Sequence, residues 1–79
     1  METYIEPSQD EIIMAFVASC IEEAANRLGV PYLEMFKRMD RVGLIDKLIY
    51  PCYEALHTES RENLTSSLIE TLTLWEHGN

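Results

Sequence analysis

Between Ile12 and Leu28, Ile12, Ile13, Phe16, Val17, Cys20, Ile21, Ala24 and Leu28 recur at regular intervals. Those one-, three- and four-residue intervals place them on one wide stripe of an α-helix. Ser19, Glu22, Glu23, Asn26 and Arg27 take the other side. Just upstream, Ser8-Gln9-Asp10-Glu11 has the form of a capping box, in which Ser8 and Glu11 satisfy each other's backbone amides. Asp10 and Glu11 also complement the positive end of the helix dipole. Gly29 supplies the left-handed residue that stops the chain's advance. The pattern predicts a first helix over about 9–28.

Pro31 suits the first position of a second helix, about 31–40, because its missing amide hydrogen costs nothing there. Leu33 and Phe36, with Met39 at the edge, are its expected inner face. Gly43 marks the next break, and Leu44, Ile45, Leu48 and Ile49 open a third helical stretch. Pro51 interrupts it, since proline lacks an N–H and its ring pushes against the carbonyl of Lys47. A kink is the expected outcome; a fresh helix from Pro51 to about Leu56 is the alternative. Thr58 or Ser60 then caps a last helix, about 60–76, where Leu64, Leu68, Leu72 and Trp75 form one stripe. No period-two run and no internal repeat competes with this reading. The expected fold is all-α: one domain over 1–79, with a short arm at 1–7. It is a small bundle of about four helices, the third kinked or broken at Pro51, with the first and last stripes facing each other.

Composition narrows the function classes. With 79 residues, the chain lies near the lower limit for a self-sufficient core, where many proteins gain stability from a partner. Its net charge of −8 repels phosphate backbones and makes DNA an unfavoured ligand. The charge is uneven: four of the six cations, Lys37, Arg38, Arg41 and Lys47, lie within eleven positions. The acidic N-terminus lacks the basic-then-apolar order of a secretory signal. The longest uncharged run, Ile12 to Ile21, is ten residues, half of what spans a bilayer. Two cysteines do not make a disulfide framework. A cytoplasmic protein with no membrane role is expected.

The densest chemistry is Tyr50-Pro51-Cys52-Tyr53-Glu54-Ala55-Leu56-His57-Thr58. Cys52 and His57 invite a nucleophile–base reading. On a continuous helix, however, five residues subtend about 140°, so the side chains diverge. Cys52 follows the stripe of Leu48, Ile49 and Leu56 and is expected in the core, while His57 suits a helix C-terminus. No catalytic residue is assigned. Cys20, Cys52 and His57 lack the ligand spacing of a zinc site, and no metal or cofactor is expected. Glu23 to Pro31 resembles the turn of a helix-turn-helix, which would make the helix with Lys37, Arg38 and Arg41 the recognition helix. Glu34 and Asp40 on that helix weigh against DNA binding. Met14, Tyr32, Met35, Met39, Tyr50 and Tyr53 lie off or beside the inner stripes and are types enriched at interfaces. Tyr32, Met35, Met39, Tyr50, Tyr53 and His57 are the expected partner surface.

Phe16, Cys20-Ile21-Glu22, Leu28-Gly29 and above all Pro51-Cys52-Tyr53-Glu54-Ala55-Leu56-His57-Thr58 resemble a family of short bacterial proteins. Its domain has no assigned function. The resemblance spans roughly Glu11 to Leu74, with Glu59-Ser60 departing from a pattern of polar residue and glycine in the loop before the last helix. The family's genes often stand beside one for a protein resembling ADP-ribosyltransferase toxins. The resemblance implies a non-enzymatic accessory protein that binds another protein, itself or a neighbouring toxin, as the antitoxin-like half of a two-gene module. A helix-turn-helix regulator is the alternative.

Overall fold

The computed structural model describes residues 7–78, so the expected arm at 1–7 lies almost wholly outside the described residues. Among these, every regular element is helical: α1 (Gln9–Leu28), α2 (Tyr32–Val42), a π-helical turn (Ile45–Ile49), α3 (Tyr53–Leu56) and α4 (Arg61–Glu76). The all-α class therefore stands, with five helical elements where about four were expected.

Helix α1 begins as its sequence dictates. The Ser8 amide donates to Glu11 Oε1 at 2.8 Å, and the Glu11 amide donates to Ser8 Oγ at 3.1 Å. At the other end Gly29, at φ 70°, occupies the left-handed region. The Val30 amide donates to the Ala25 carbonyl and the Gly29 amide to that of Asn26. That pair of bonds is the Schellman arrangement, and it turns the chain directly into α2. Pro31, at ψ 150°, sits one position ahead of that helix and caps it from outside.

The core is built from Ile13, Val17, Cys20, Ile21, Ala24 and Ala25 of α1, Met35 and Met39 of α2, Leu44, Ile45 and Ile49 after it, and Leu64, Leu68 and Leu72 of α4. Ala24 and Ala25 present almost no side chain, which lets neighbouring helices approach closely. The flexible methionines fill the irregular space that remains. Helix α1 packs against both α2 and α4. The α4 contact runs through Arg61–Glu23 and Arg27–Ser66, and the far end of α4 reaches α2 through Arg38–Glu76.

Two expectations need correcting. The inner face of α2 is Met35 and Met39, both 0% exposed, whereas Leu33 is 58% and Phe36 38% exposed. Met35, Met39 and the part-buried Val42 span about two turns. A stripe through Leu33 and Phe36 runs instead into Asp40, and the core selects the longer one. Cys52 is only half-buried; the thiol in the core is Cys20.

The chain does not simply kink at Pro51. The Tyr50 amide donates to the Ile45 carbonyl at 2.9 Å, a bond reaching back five residues. In a regular α-helix the Pro51 ring would press on the Lys47 carbonyl; here the chain reaches Pro51 through a turn widened to π spacing. The Cys52 amide then donates to Leu48 at 3.0 Å, and a new short helix starts at Tyr53.

Candidate functional site

The run singled out by its composition sits against α1. Tyr50 donates its hydroxyl to Asp10, and this bond raises the phenol above its ordinary range, because loss of the proton would place two anions together. The Tyr53 ring meets Phe16 edge-on, with centroids 5.2 Å apart. His57 stacks on Tyr53 at 4.5 Å and 13°. Three rings thus form one aromatic wall, a geometry worth more than the burial of the same area alone. Among the described residues His57 Nε2 comes no closer than 3.9 Å to Glu54, its carboxylate neighbour.

Beyond this wall, α1, the loop after α3 and the start of α4 enclose a half-open groove of about 290 Å³. Phe16, Cys20 and Leu64 make it apolar beneath; Ser19, Glu23, His57, Glu59, Arg61 and Thr65 supply its polar lining. Arg61 Nη1 stands 3.1 Å from Glu23 Oε2. The Ser19 hydroxyl donates to the Phe16 carbonyl at 2.7 Å, and the Thr65 hydroxyl to the Arg61 carbonyl at 2.8 Å. Burial pushes the Cys20 thiol up to about 11, against a smaller opposing pull from Arg61. Such a thiol is almost wholly protonated at neutral pH and has little nucleophilic thiolate.

A second surface lies on α2. Tyr32, Leu33 and Phe36 are all more than a third exposed and occupy neighbouring positions on its outer side. Beside Leu33 an open depression is lined by Pro31, Lys37, Arg38 and Arg41 and by the carboxylates of Glu34 and Glu76. Arg38 is bidentate on Glu76, with both N–O distances 2.8 Å. That hydrogen bonding holds Glu76 below the ordinary carboxylate range and Arg38 above its own. Among the described residues Lys37 and Arg41 make no ion pair.

The expected partner residues therefore separate. Tyr32 is exposed on the α2 surface. Tyr50, Tyr53 and His57 line up along α1, half-buried to exposed. Met35 and Met39 leave the surface altogether. Sequence reasoning missed Leu33 and Phe36, which it placed inside, and it missed that Phe16, Glu59 and Arg61 share a groove with His57. The signal for α2 was the unbroken Met35–Met39–Val42 spacing. None existed for the groove, since its members come from three elements. Among the described residues no three His, Cys, Asp or Glu side chains converge to hold a metal ion, and no helix is long and apolar enough to cross a membrane.

Residues 15–75 match the model of DUF3791, described as a protein of unknown function, and the chain belongs to that family. The match takes in the groove, the aromatic wall and the α2 surface. No curated protein matches the chain, and no solved structure does.

Proposed function

We propose that this DUF3791 protein is a non-enzymatic protein-binding protein, the antitoxin-like half of a two-gene module. The observation that carries the reading is the apolar ridge of Tyr32, Leu33 and Phe36, standing out on one side of α2. Exposed apolar residues gathered in this way, with cations beside them, are how protein interfaces are built. The non-enzymatic part draws on the sequence reading, in which the five-residue separation of Cys52 and His57 does not suit a nucleophile–base pair. Protein binding is the broader half of the proposal, and the toxin-module role its narrower half, motivated by the family resemblance.

The test is co-expression with the ADP-ribosyltransferase-like protein whose gene the resemblance expects next door. The chain should restore growth of cells making that protein and co-elute with it through two purification steps. A Leu33→Glu/Phe36→Glu variant, folded by circular dichroism, should lose both effects. Undiminished toxicity with the wild-type chain present would sink the antitoxin role. Unaltered co-elution of the double variant would remove α2 from the interface. The DNA-binding alternative retains Lys37 and Arg41 but has Arg38 committed to Glu76. A promoter mobility shift weakening steeply with salt would favour it.

A further inference from the structure

The groove between α1, the loop after α3 and α4 has a lining that points to one ligand chemistry. Its two hydroxyls, Ser19 and Thr65, have each spent their proton on a carbonyl of their own helix. What each offers a ligand is an oxygen with free lone pairs. Glu23 and Glu59 add carboxylates, which only accept. Of the two charged acceptors, Glu23 faces Arg61 through one exposed contact at 3.1 Å, while Glu59 makes no ion pair among the described residues. The mouth thus keeps one uncompensated negative charge, on a protein whose net charge is −8.

The walls agree with the rim. Phe16 and His57 line the groove, and Tyr53 covers one face of the imidazole by stacking, leaving the opposite face uncovered by it. Aromatic faces attract cations, and a planar guanidinium stacks on them as an ammonium cannot. The volume, about 290 Å³, is at the bottom of the range for small-molecule sites, roughly 300–1,000 Å³. It suits one long side chain.

We propose that this groove receives an arginine side chain of a protein partner: the guanidinium lies against the Phe16–His57 wall and donates to Glu59 and the Ser19 and Thr65 oxygens. An arginine carries five donors and no acceptor, which suits the oxygens of this lining; the groove's own guanidinium, Arg61, is held on Glu23 at 3.1 Å, so Glu59 is the carboxylate left for the incoming one. The chain's negative field draws such a partner in. The inference rests on the protein-binding reading only for the source of the side chain.

A blocked pentapeptide, Gly-Gly-Arg-Gly-Gly, titrated into the ¹⁵N-labelled chain tests the groove by itself. Amide shifts should cluster at 16–23 and 57–65, with a dissociation constant on the order of 1–10 mM, as a single contact of this kind gives. The same peptide with citrulline, neutral and nearly isosteric, should bind at least tenfold more weakly. Glu59→Gln should weaken the arginine peptide threefold or more, and Glu59→Lys should abolish its shifts. Phe16→Leu, which keeps apolar bulk but removes the ring, should weaken it as well. Glu62→Gln, an exposed carboxylate outside the groove, should change nothing. Equal shifts with the citrulline peptide, shifts scattered over the surface, or indifference to Glu59→Lys would each overturn the proposal. Such a failure leaves the co-expression result with Leu33→Glu/Phe36→Glu untouched, so the two readings fail separately.

Discussion

Cys20 and Cys52 differ by environment alone, and that difference sets their chemistry. Cys20 is 4% exposed and its thiol is raised to about 11 by burial. At pH 7.5 iodoacetamide should therefore label Cys52 in the native protein and leave Cys20 intact, as read by peptide mass mapping; in urea both should react. Rapid native labelling of Cys20 would mean that its wall opens easily or that its thiol is activated, and would revive an enzymatic role for the groove. At the far end of α4, Glu76 and Arg38 of α2 are each less than a third exposed and joined by two hydrogen bonds. Glu76 is held below its ordinary value of 4.5, chiefly by those bonds. Because the folded-state value is the depressed one, the pair's stabilisation is complete above that ordinary value and is lost as pH falls through the folded-state value. Glu76→Gln should lower stability at pH 7 by about 1 kcal/mol, typical of a well-formed bidentate pair near the surface. Urea melts at falling pH should show the gap between variant and wild type closing below about pH 4. A gap independent of pH would assign the loss to packing.

Elements differ in how plainly the sequence announces them. Helix α1 is bounded by devices that work locally: the Ser8–Glu11 box and the Gly29 turn need no knowledge of the rest of the molecule. The start of α4 is equally local, with the Asn63 amide donating to Ser60 Oγ. The face of α2 is another matter, since apolar residues at 32, 33, 35, 36, 39 and 42 ring most of the helix. Only packing against α1 and α4 decides that Met35 and Met39 go inside. The groove is least legible of all, because Phe16, His57 and Glu59 meet through tertiary structure. Pro51 lies between these cases: its incompatibility with an α-helix is plain in the sequence, but the remedy is not. If the π-turn exists to clear the Lys47 carbonyl, Pro51→Ala removes the cause and restores an amide that can donate to it. The segment should relax to α spacing, deepening the circular dichroism signal at 222 nm. Everything downstream then rotates by about 100°, one residue's worth of helix. That swings Tyr53 away from Phe16 and should cost about 1 kcal/mol of stability through the lost aromatic pair. An unchanged 222 nm signal would show that packing of Ile45 and Ile49 holds the π-turn without the proline's help.

On the scale of the whole molecule, charge and apolar surface oppose each other. Ile12, Met14, Leu28, Tyr32, Leu33, Phe36 and Leu74 all keep more than a third of their surface in water. Buried contact of such residues between copies is favourable at roughly 25 cal/mol for each Å² removed from water. Against it stands the repulsion between chains that each carry −8 at pH 7. The repulsion is long-ranged and indifferent to which faces meet, whereas the apolar gain is short-ranged and largest where the α2 ridge is covered. Acidification separates the two, because the isoelectric point is about 4.5. Light scattering should therefore rise steeply as pH falls from 7 toward 4.5 and decline again below pH 3.5, where the chain is positive. Leu33→Gln alters no charge, so it leaves the isoelectric point in place and tests the ridge alone. That variant should scatter markedly less than wild type at pH 4.5. Equal scattering would show that association near the isoelectric point proceeds through other surfaces, and would weaken the case for the α2 ridge as the chain's stickiest face.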